Sequence, residues 1–396
     1  DAVAPLPGST EVRKLIVTEA LTYLDRLAAS SPNPAVRMEL ALAYKKVGRV
    51  QGDPQVANLG DREAALASFR RAIDILAPLR DSPALGAMAL YETSQLSSLV
   101  ASVLRVMDRT DEARAASRDA LATAEAALAN NPGDEATRRL VASGHFSLAM
   151  SEADRPAMFR HWLEAERAFE ALLAEKPDDA DRMRNVALVN KYLGGHLQVD
   201  GNRAEAEQRY RRAMELDERR FTLAPDDRQV RFDLAIDLAN LGSALAQTGQ
   251  PEEALKLYER SVAMREALVD ADRKGVLARV TLARALTAVA RLRYDIGDRP
   301  GAARDARRAV SLGPDTPSAG DAAGQRVIGR ALIVLATLDA DRGRQATACE
   351  RYRLALAHAT RDQLTASDPN DRFWLERLES RLPGCVGPSV RGAGAS

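Results

Sequence analysis

The chain has 396 residues, with 56 basic and 56 acidic side chains, so its formal net charge is zero. No chain-wide field then draws it to nucleic acid or to an anionic membrane. Apolar residues make up 46% and charged residues 28%, which describes a foldable chain, while 4% aromatics are too few for a large β core.

The chain starts at Asp1 without an initiator methionine, a charged leader segment or an apolar leader segment. It is read as a piece of a longer polypeptide, with any targeting or membrane segment in the upstream part. Residues 1–34 are expected to form a linker and a capping helix. Over 9–29, Leu15, Ile16, Leu21, Leu24 and Leu27 mark one apolar face, with Ser9 or Thr10 as cap. That face should cover the open side of the first repeat unit. The first unit has twelve extra residues between its two helices, Arg49 to Gly60.

From residue 35 to 365 the punctuation is periodic. Asn131-Pro132-Gly133-Asp134, Pro177-Asp178-Asp179 and Pro225-Asp226-Asp227 are turn signals spaced 45 to 48 residues apart. Asp272-Arg273-Lys274, Gly320-Asp321 and Asp368-Pro369-Asn370-Asp371 continue the series. Each supplies an Asp or similar residue able to cap the next helix. Midway between them fall Gly201, Gly249, Gly297 and Gly343, with Gly60 as an earlier copy. Glycine ends a helix by entering the left-handed conformation at no steric cost. Each unit of about 48 residues is therefore helix, glycine turn, helix, Pro/Asp turn, with room for about 20 residues per helix.

After residue 365 a short closing helix is expected over 371–381, within a 366–382 cap, from Phe373, Trp374, Leu375 and Leu378. Residues 383–396 are Gly, Pro, Ser and Ala with almost no apolar anchor, and are expected to be disordered. Cys349 lies in a helical pattern and Cys385 in that tail. Two cysteines cannot make a disulfide framework or a zinc knuckle, and they leave the compartment open. The longest apolar run, Ala331 to Leu338, has eight residues, far short of a bilayer span.

Alignment on the mid-unit turn exposes a register. Five residues after it stand Ala65, Ala113, Met158, Ala206, Ala254, Ala302 and Ala348. Nine after it stand Phe69, Ser117, Trp162, Tyr210, Tyr258, Ala306 and Tyr352. Twelve after it stand Ala72, Ala120, Ala165, Ala213, Ser261, Ala309 and Ala355. Seven before it stand Ala41, Ala101, Phe146, Gly194, Gly242, Ala290 and Ala336, with Gly48 as the anchor for the first of these. Small residues at fixed offsets let helices approach closely, and the ring fills the space beside them. This pattern resembles the tetratricopeptide repeat, over residues 35–360 in seven units. It departs in length, since about 34 residues is usual. A generic solenoid of the HEAT type is the alternative. The resemblance implies an all-α, right-handed α-solenoid of seven helical hairpins with a capping helix at each end.

Residues 1–80 carry a more specific resemblance. Asp1-Ala2-Val3-Ala4-Pro5-Leu6-Pro7-Gly8-Ser9-Thr10 precedes a helix containing Leu21-Thr22-Tyr23-Leu24-Asp25-Arg26-Leu27, and the string Leu40-Ala41-Leu42-Ala43-Tyr44-Lys45-Lys46-Val47-Gly48 leads to the insertion. This stretch is similar to the C-terminal repeat region of a family of bacterial serine/threonine protein kinases. In that family a kinase domain and a membrane segment precede the repeats. Related repeats are also fused to winged-helix transcription activators.

Catalytic machinery is not recognisable. The chain shows no Gly-rich loop before a strand, no His-Arg-Asp loop, no Asp-Phe-Gly and no phosphate loop. His145, His161, His196 and His358 follow no ligand spacing, and Asp270-Ala271-Asp272 lacks the ligands of a calcium loop. Trp162 shares the register of Tyr210 and Tyr258, so it is read as core and not as a stacking platform. Arg203, Arg209, Arg211, Arg212, Arg219 and Arg220 alternate with Glu205, Glu207, Glu215, Asp217 and Glu218, which reads as a solvated face with i,i+4 pairs. No enzyme activity, cofactor, metal or nucleic-acid partner is therefore expected of this chain.

What remains is the inner face of each first helix, where tetratricopeptide repeats bind partner peptides. By register this face offers Ser98, Ser102, Arg105, Ser143 and Ser147 in the early units. Lys191, Gly195, Gln198, Ser243, Gln247, Thr287, Arg291, Tyr294 and Thr337 continue it, with no strong carboxylate clamp. The expected function is protein–protein interaction, as the sensor or docking segment of a bacterial signalling protein, with self-association as one form of it. The kinase resemblance implies a membrane-anchored parent with the repeats on the extracytoplasmic side. The alternative is the cytoplasmic regulatory repeat domain of a winged-helix transcription activator.

Overall fold

The computed structural model describes residues 9–30, 33–54, 59–271, 275–313, 322–365, 369–383 and 385. Asp272-Arg273-Lys274, Gly320-Asp321, Asp368 and most of the 383–396 tail lie outside them. Every regular element among the described residues is helical. In chain order these are α1 (Ser9–Ser30), α2 (Pro34–Gly52), α3 (Arg62–Leu76), a 3-10 turn (Ala77–Leu79), α4 (Gly86–Val106), α5 (Thr110–Asn130), α6 (Glu135–Ala149), α7 (Arg155–Glu175) and α8 (Ala180–Val199). There follow α9 (Arg203–Leu223), α10 (Arg228–Gln247), α11 (Pro251–Ala271), α12 (Val276–Asp295), α13 (Arg299–Ser311), α14 (Ala322–Asp341), α15 (Gln345–His358), α16 (Arg361–Thr365) and α17 (Pro369–Arg381). The helices pack in successive pairs, as an all-α solenoid requires. The chain divides within α8 into two compact units, Asp1–Val189 and Asn190–Ser396.

The turn residues set the helix ends. Asn33, Asp61, Asp134, Asp154, Asp227 and Asp298 each accept a backbone N–H from the first turn of the helix that follows. Asp179 caps α8 in the same way, accepting from Arg182 N at 3.0 Å. At the mid-pair turns Gly60, Gly201, Gly249, Gly297 and Gly343 hold φ between 71° and 91°. Asp108 takes this role in the second pair with φ 57°, a conformation its short polar side chain tolerates. Four helices are shorter than the expected length of about 20: α3 and α6 have 15 residues, α13 has 13 and α15 has 14.

In the first unit α2 packs on α3, α4 on α5 and α6 on α7, and the first helices α4 and α6 also touch. Within α1 only part of the apolar face is covered. Leu24 is buried and Val17, Ala20, Leu21 and Leu27 are half-buried, while Leu15 and Ile16 are 63% and 53% exposed. One expectation is corrected here. Helix α2 continues through Gly48 to Gly52, so Gly48 is a mid-helix contact and not a turn. A Cβ at Gly48 would lie 2.5 Å from the Phe69 ring. The insertion is therefore shorter than read, and Gly48, not Ala41, is the counterpart of Gly194 and Gly242.

In the second unit α9 packs on α10, α10 on α11, α12 on α13 and α14 on α15, with α12 also against α14. The rings rest on glycine as the register demands. A Cβ would come within 2.8 Å of Tyr210 at Gly194 and within 3.3 Å of Tyr258 at Gly242. Across both units the aligned small residues are enclosed: Ala65, Ala113, Ala206, Ala254, Ala302 and Ala348 all have no exposed surface. Trp162 is fully buried against Phe146, with ring centroids 4.9 Å apart, as its register implies. At the C-terminal end α17 packs on α14 and α16. The expectation of a free tail beyond Pro383 fails at one point. Cys385 is buried and disulfide-bonded to Cys349 of α15, with Cα atoms 5.3 Å apart, inside the range a bridge spans.

Candidate partner-binding groove

In the first unit the predicted polar positions form a small network on α4 and α6. Arg105 donates from Nη1 to Ser147 Oγ and Ser151 Oγ, each at 3.3 Å. Ser147 Oγ lies 3.0 Å from Ser117 Oγ, which replaces the ring found in other pairs. Ser143 turns back to donate to Arg139 O at 3.0 Å. Ser102 is buried, and Ser98 Oγ is enclosed without a hydrogen-bond partner. The structure thus brings Arg105 and Ser147 together, encloses the hydroxyl of Ser98 and buries Ser102, and leaves Ser143 half-buried on its own helix. One step along the same pair, His145 and His161 meet Nδ1 to Nδ1 at 3.0 Å. Burial lowers the pKa of both, and the His145 charge lowers that of His161 further.

In the second unit Lys191 leaves the groove altogether. It is enclosed between α9 and α10, with Nζ 2.9 Å from Asp217 Oδ2 and 3.2 Å from Asp237 Oδ1. Arg220 Nη1 extends this cluster to Asp217 and, at 3.0 Å, to Asp233. Burial pushes the Asp237 carboxyl well above its usual range. Burial also opposes ionisation of Asp217, but Asp237, Lys191 and Arg220 hold its pKa below the usual value. For Lys191 burial works against the charge, and Asp237, Asp217 and Asp233 together outweigh it. Of the three carboxyls, Asp237 is the one that burial most disposes to hold a proton. This corrects the reading of α9 as wholly solvated. Arg211–Glu207 and Arg209–Glu205 are the anticipated i,i+4 pairs, at 2.9 and 3.6 Å, but Asp217 and Arg220 face inward.

The remaining first-helix positions open onto a cavity of about 780 Å³. Ser243 and Gln247 of α10, Thr287 and Arg291 of α12 line it. Gln198 of α8 donates to Ser243 Oγ at 3.2 Å and accepts from Tyr210 at 3.0 Å. Tyr294 is buried instead, its hydroxyl donating to Asp341 at 2.5 Å and its ring 4.7 Å from that of Trp374. Thr337 is likewise buried and donates to Ile333 O at 2.8 Å.

The register list missed the residues that give the cavity its character. Arg284 of α12, Arg326 and Arg330 of α14 and Arg265 of α11 line it, and α17 closes one end with Asp371, Phe373 and Trp374. Burial pushes Arg265 down to about 10, with help from the Arg284 charge. Burial and the charges of Arg330 and Arg326 lower Arg284 too. A signal was available: Arg284 and Arg330 each stand thirteen residues before a turn glycine, Gly297 and Gly343. Among the described residues no group of three or more His, Cys, Asp or Glu is placed to hold a metal ion. None of the described helices is long and apolar enough to cross a membrane.

These features agree with comparisons to known proteins. A tetratricopeptide-repeat family profile matches residues 184–267. No curated protein matches the chain in sequence. Among solved structures, the apo form of RapI aligns with a TM-score of 0.53 at 12% identity, over 88% of this chain and 86% of that one. The apo form of the quorum sensor NprR from B. thuringiensis aligns at 0.51 and 14% identity, over 88% and 84%. PH0952 from Pyrococcus horikoshii, a signal-transduction ATPase with a tetratricopeptide repeat sensor, aligns at 0.53 and 13% identity, over 96% of this chain and 50% of its own. At these identities the likeness is one of fold. The chain therefore carries a tetratricopeptide-repeat region within an all-α solenoid, the architecture of a protein–protein interaction module.

Proposed function

We propose that this chain is the sensor or docking segment of a bacterial signalling protein, binding a protein or peptide partner on its first-helix face. The observation that carries this reading is the open, polar cavity along α10, α12 and α14. Catalysis is not its purpose on this reading, because no nucleophile, base and orienting group converge there. Two chains of the same fold are named as sensors, and that role is carried to this chain by fold alone.

The parent is proposed to be a transmembrane serine/threonine protein kinase, of which this is the non-catalytic C-terminal part. The support is the resemblance of residues 1–80. The Cys349–Cys385 bridge favours it over the cytoplasmic transcription-activator alternative, since disulfides persist in oxidising compartments. A partner that binds one assembly state more tightly would shift the dimerisation or orientation of the catalytic half.

Site-specific photo-cross-linking tests the groove. A cross-linker replacing Gln247 inside the cavity is compared with one replacing Lys256, which is exposed on α11. A specific adduct from position 247 alone is expected. A folded helical chain that gives no adduct there, or identical adducts from both positions, would remove the basis of the proposal.

A further inference from the structure

The groove of the second unit holds more positive charge than its own carboxylates neutralise. Six arginines and two aspartates line the cavity. Asp371 is held by Arg291 and by Arg330, the latter at 2.8 Å. Arg284 and Arg326 have no hydrogen bond or ion pair among the described residues. Arg265 behind them is 6% exposed and donates to neutral oxygens, Ser261 Oγ at 3.3 Å and Ala235 O at 3.2 Å. Arg326 and Arg330 stand four residues apart on one helix, where like charges oppose helix formation unless something lies between them. A guanidinium in such partly enclosed surroundings gains most from a bidentate oxyanion.

The fold itself shows which oxyanion fits. At one end of the cavity α17 lays the Asp371 carboxylate between Arg291 and Arg330 and places the Trp374 ring 5.6 Å from the Arg291 guanidinium. A carboxylate and a side-chain ring, both on a peptide segment, thus already fill that end. Arg284 and Arg326 line the same cavity, and the small residues Ala288 and Ala323 among its lining leave room for a backbone to pass. The volume of about 780 Å³ far exceeds a single small anion.

We infer that the groove takes an acidic peptide segment of the partner, with its carboxylates on Arg284 and Arg326. This deepens the partner-binding reading above and rests on it.

The test uses the whole chain and two labelled peptides of equal length, one alternating Glu and Ala and one with Gln in place of Glu. The Glu peptide is expected to bind at least about tenfold more tightly and to weaken as salt rises. In the double variant Arg284→Ser/Arg326→Ser its affinity is expected to fall by about tenfold or more, with a melting temperature that does not fall as the sign of an intact fold. Equal binding of the two peptides overturns the inference, as does Glu-peptide affinity that survives the double variant. Displacement of the peptide by millimolar inorganic phosphate also overturns it, because the site would then serve small anions. If the position-247 adduct persists while the Glu peptide fails to bind, the acidic-segment inference falls and the partner reading stands. If the adduct and Glu-specific binding are both absent, the partner reading falls and takes the inference with it.

Discussion

Two groups of charges in the second unit use the same residue types to opposite ends. Around Lys191, two basic and three acidic side chains are enclosed together, so each charge finds its counter-charge within the fold. Arg284 and Arg326 instead line open space in a cavity with six arginines and two aspartates, and neither has an ion pair among the described residues. The first arrangement ties α8, α9 and α10 to one another and has nothing left to offer a ligand. The second adds nothing to cohesion and is available for recognition. Charge type alone therefore predicts neither role; what decides is whether a counter-charge lies within the fold.

Substitutions can break or sharpen this contrast. The largest effect is expected inside the balanced cluster. Asp217→Asn strands Lys191 and Arg220 and should lower stability by about 3–5 kcal/mol in urea denaturation. Asp237→Asn replaces the carboxyl that burial pushes towards its neutral form and should cost less, about 1 kcal/mol. Equal losses would show that burial does not favour the neutral form of Asp237. Next comes Ala213→Leu, which forces a larger side chain into a fully enclosed site between helices and should cost about 1–3 kcal/mol. An unchanged melting curve would mean that the backbones do not meet there.

A smaller effect belongs to the histidine pair of the first unit. Burial holds His145 and His161 below the ordinary histidine pKa, so the folded state binds fewer protons than the unfolded one as pH falls. Glu125 and Glu164 partly offset this for His145, and Glu152 does so for His161, where Arg160 and Arg118 add to the lowering. Stability should be level above about pH 6.5 and decline as pH drops below it. His145→Gln should flatten that decline, and a decline of the same size in this variant would assign it to other groups. The smallest effect is expected at the free arginines. Arg284→Ser/Arg326→Ser should shift stability by about 0.5 kcal/mol or less, and upward, because it relieves like-charge repulsion. A clear loss would mean that these side chains hold the fold together.

Much of the architecture was readable from local steric demands. A glycine that must adopt positive φ, an Asp that must cap and an alanine that must let helices touch all leave fixed marks in sequence, and Gly201, Asp227 and Ala213 stand where those demands place them. The end of α2 was misread because Gly48 satisfies a packing demand that resembles a turn signal. The groove was only half legible. Gln247 and Arg291 followed from register, but Lys191 and Tyr294 share that register and are buried, because their partners come from other helices. Arg284 was marked only by its spacing to Gly297, and Arg326 stayed hidden in a chain whose basic residues are nearly all arginine. Pairing of Cys349 with Cys385 was hidden too, since only the docking of α17 brings the tail back to α15.

The most direct test of the contrast is the side-chain Nε–H resonances of arginine, followed by NMR while the Glu-containing peptide is titrated into the intact chain. Arg284 and Arg326 are predicted to shift in a saturable manner, while Arg220, enclosed with Asp217 and Asp233, stays still. Movement confined to Arg220, or uniform small shifts across all exposed arginines, would contradict the account.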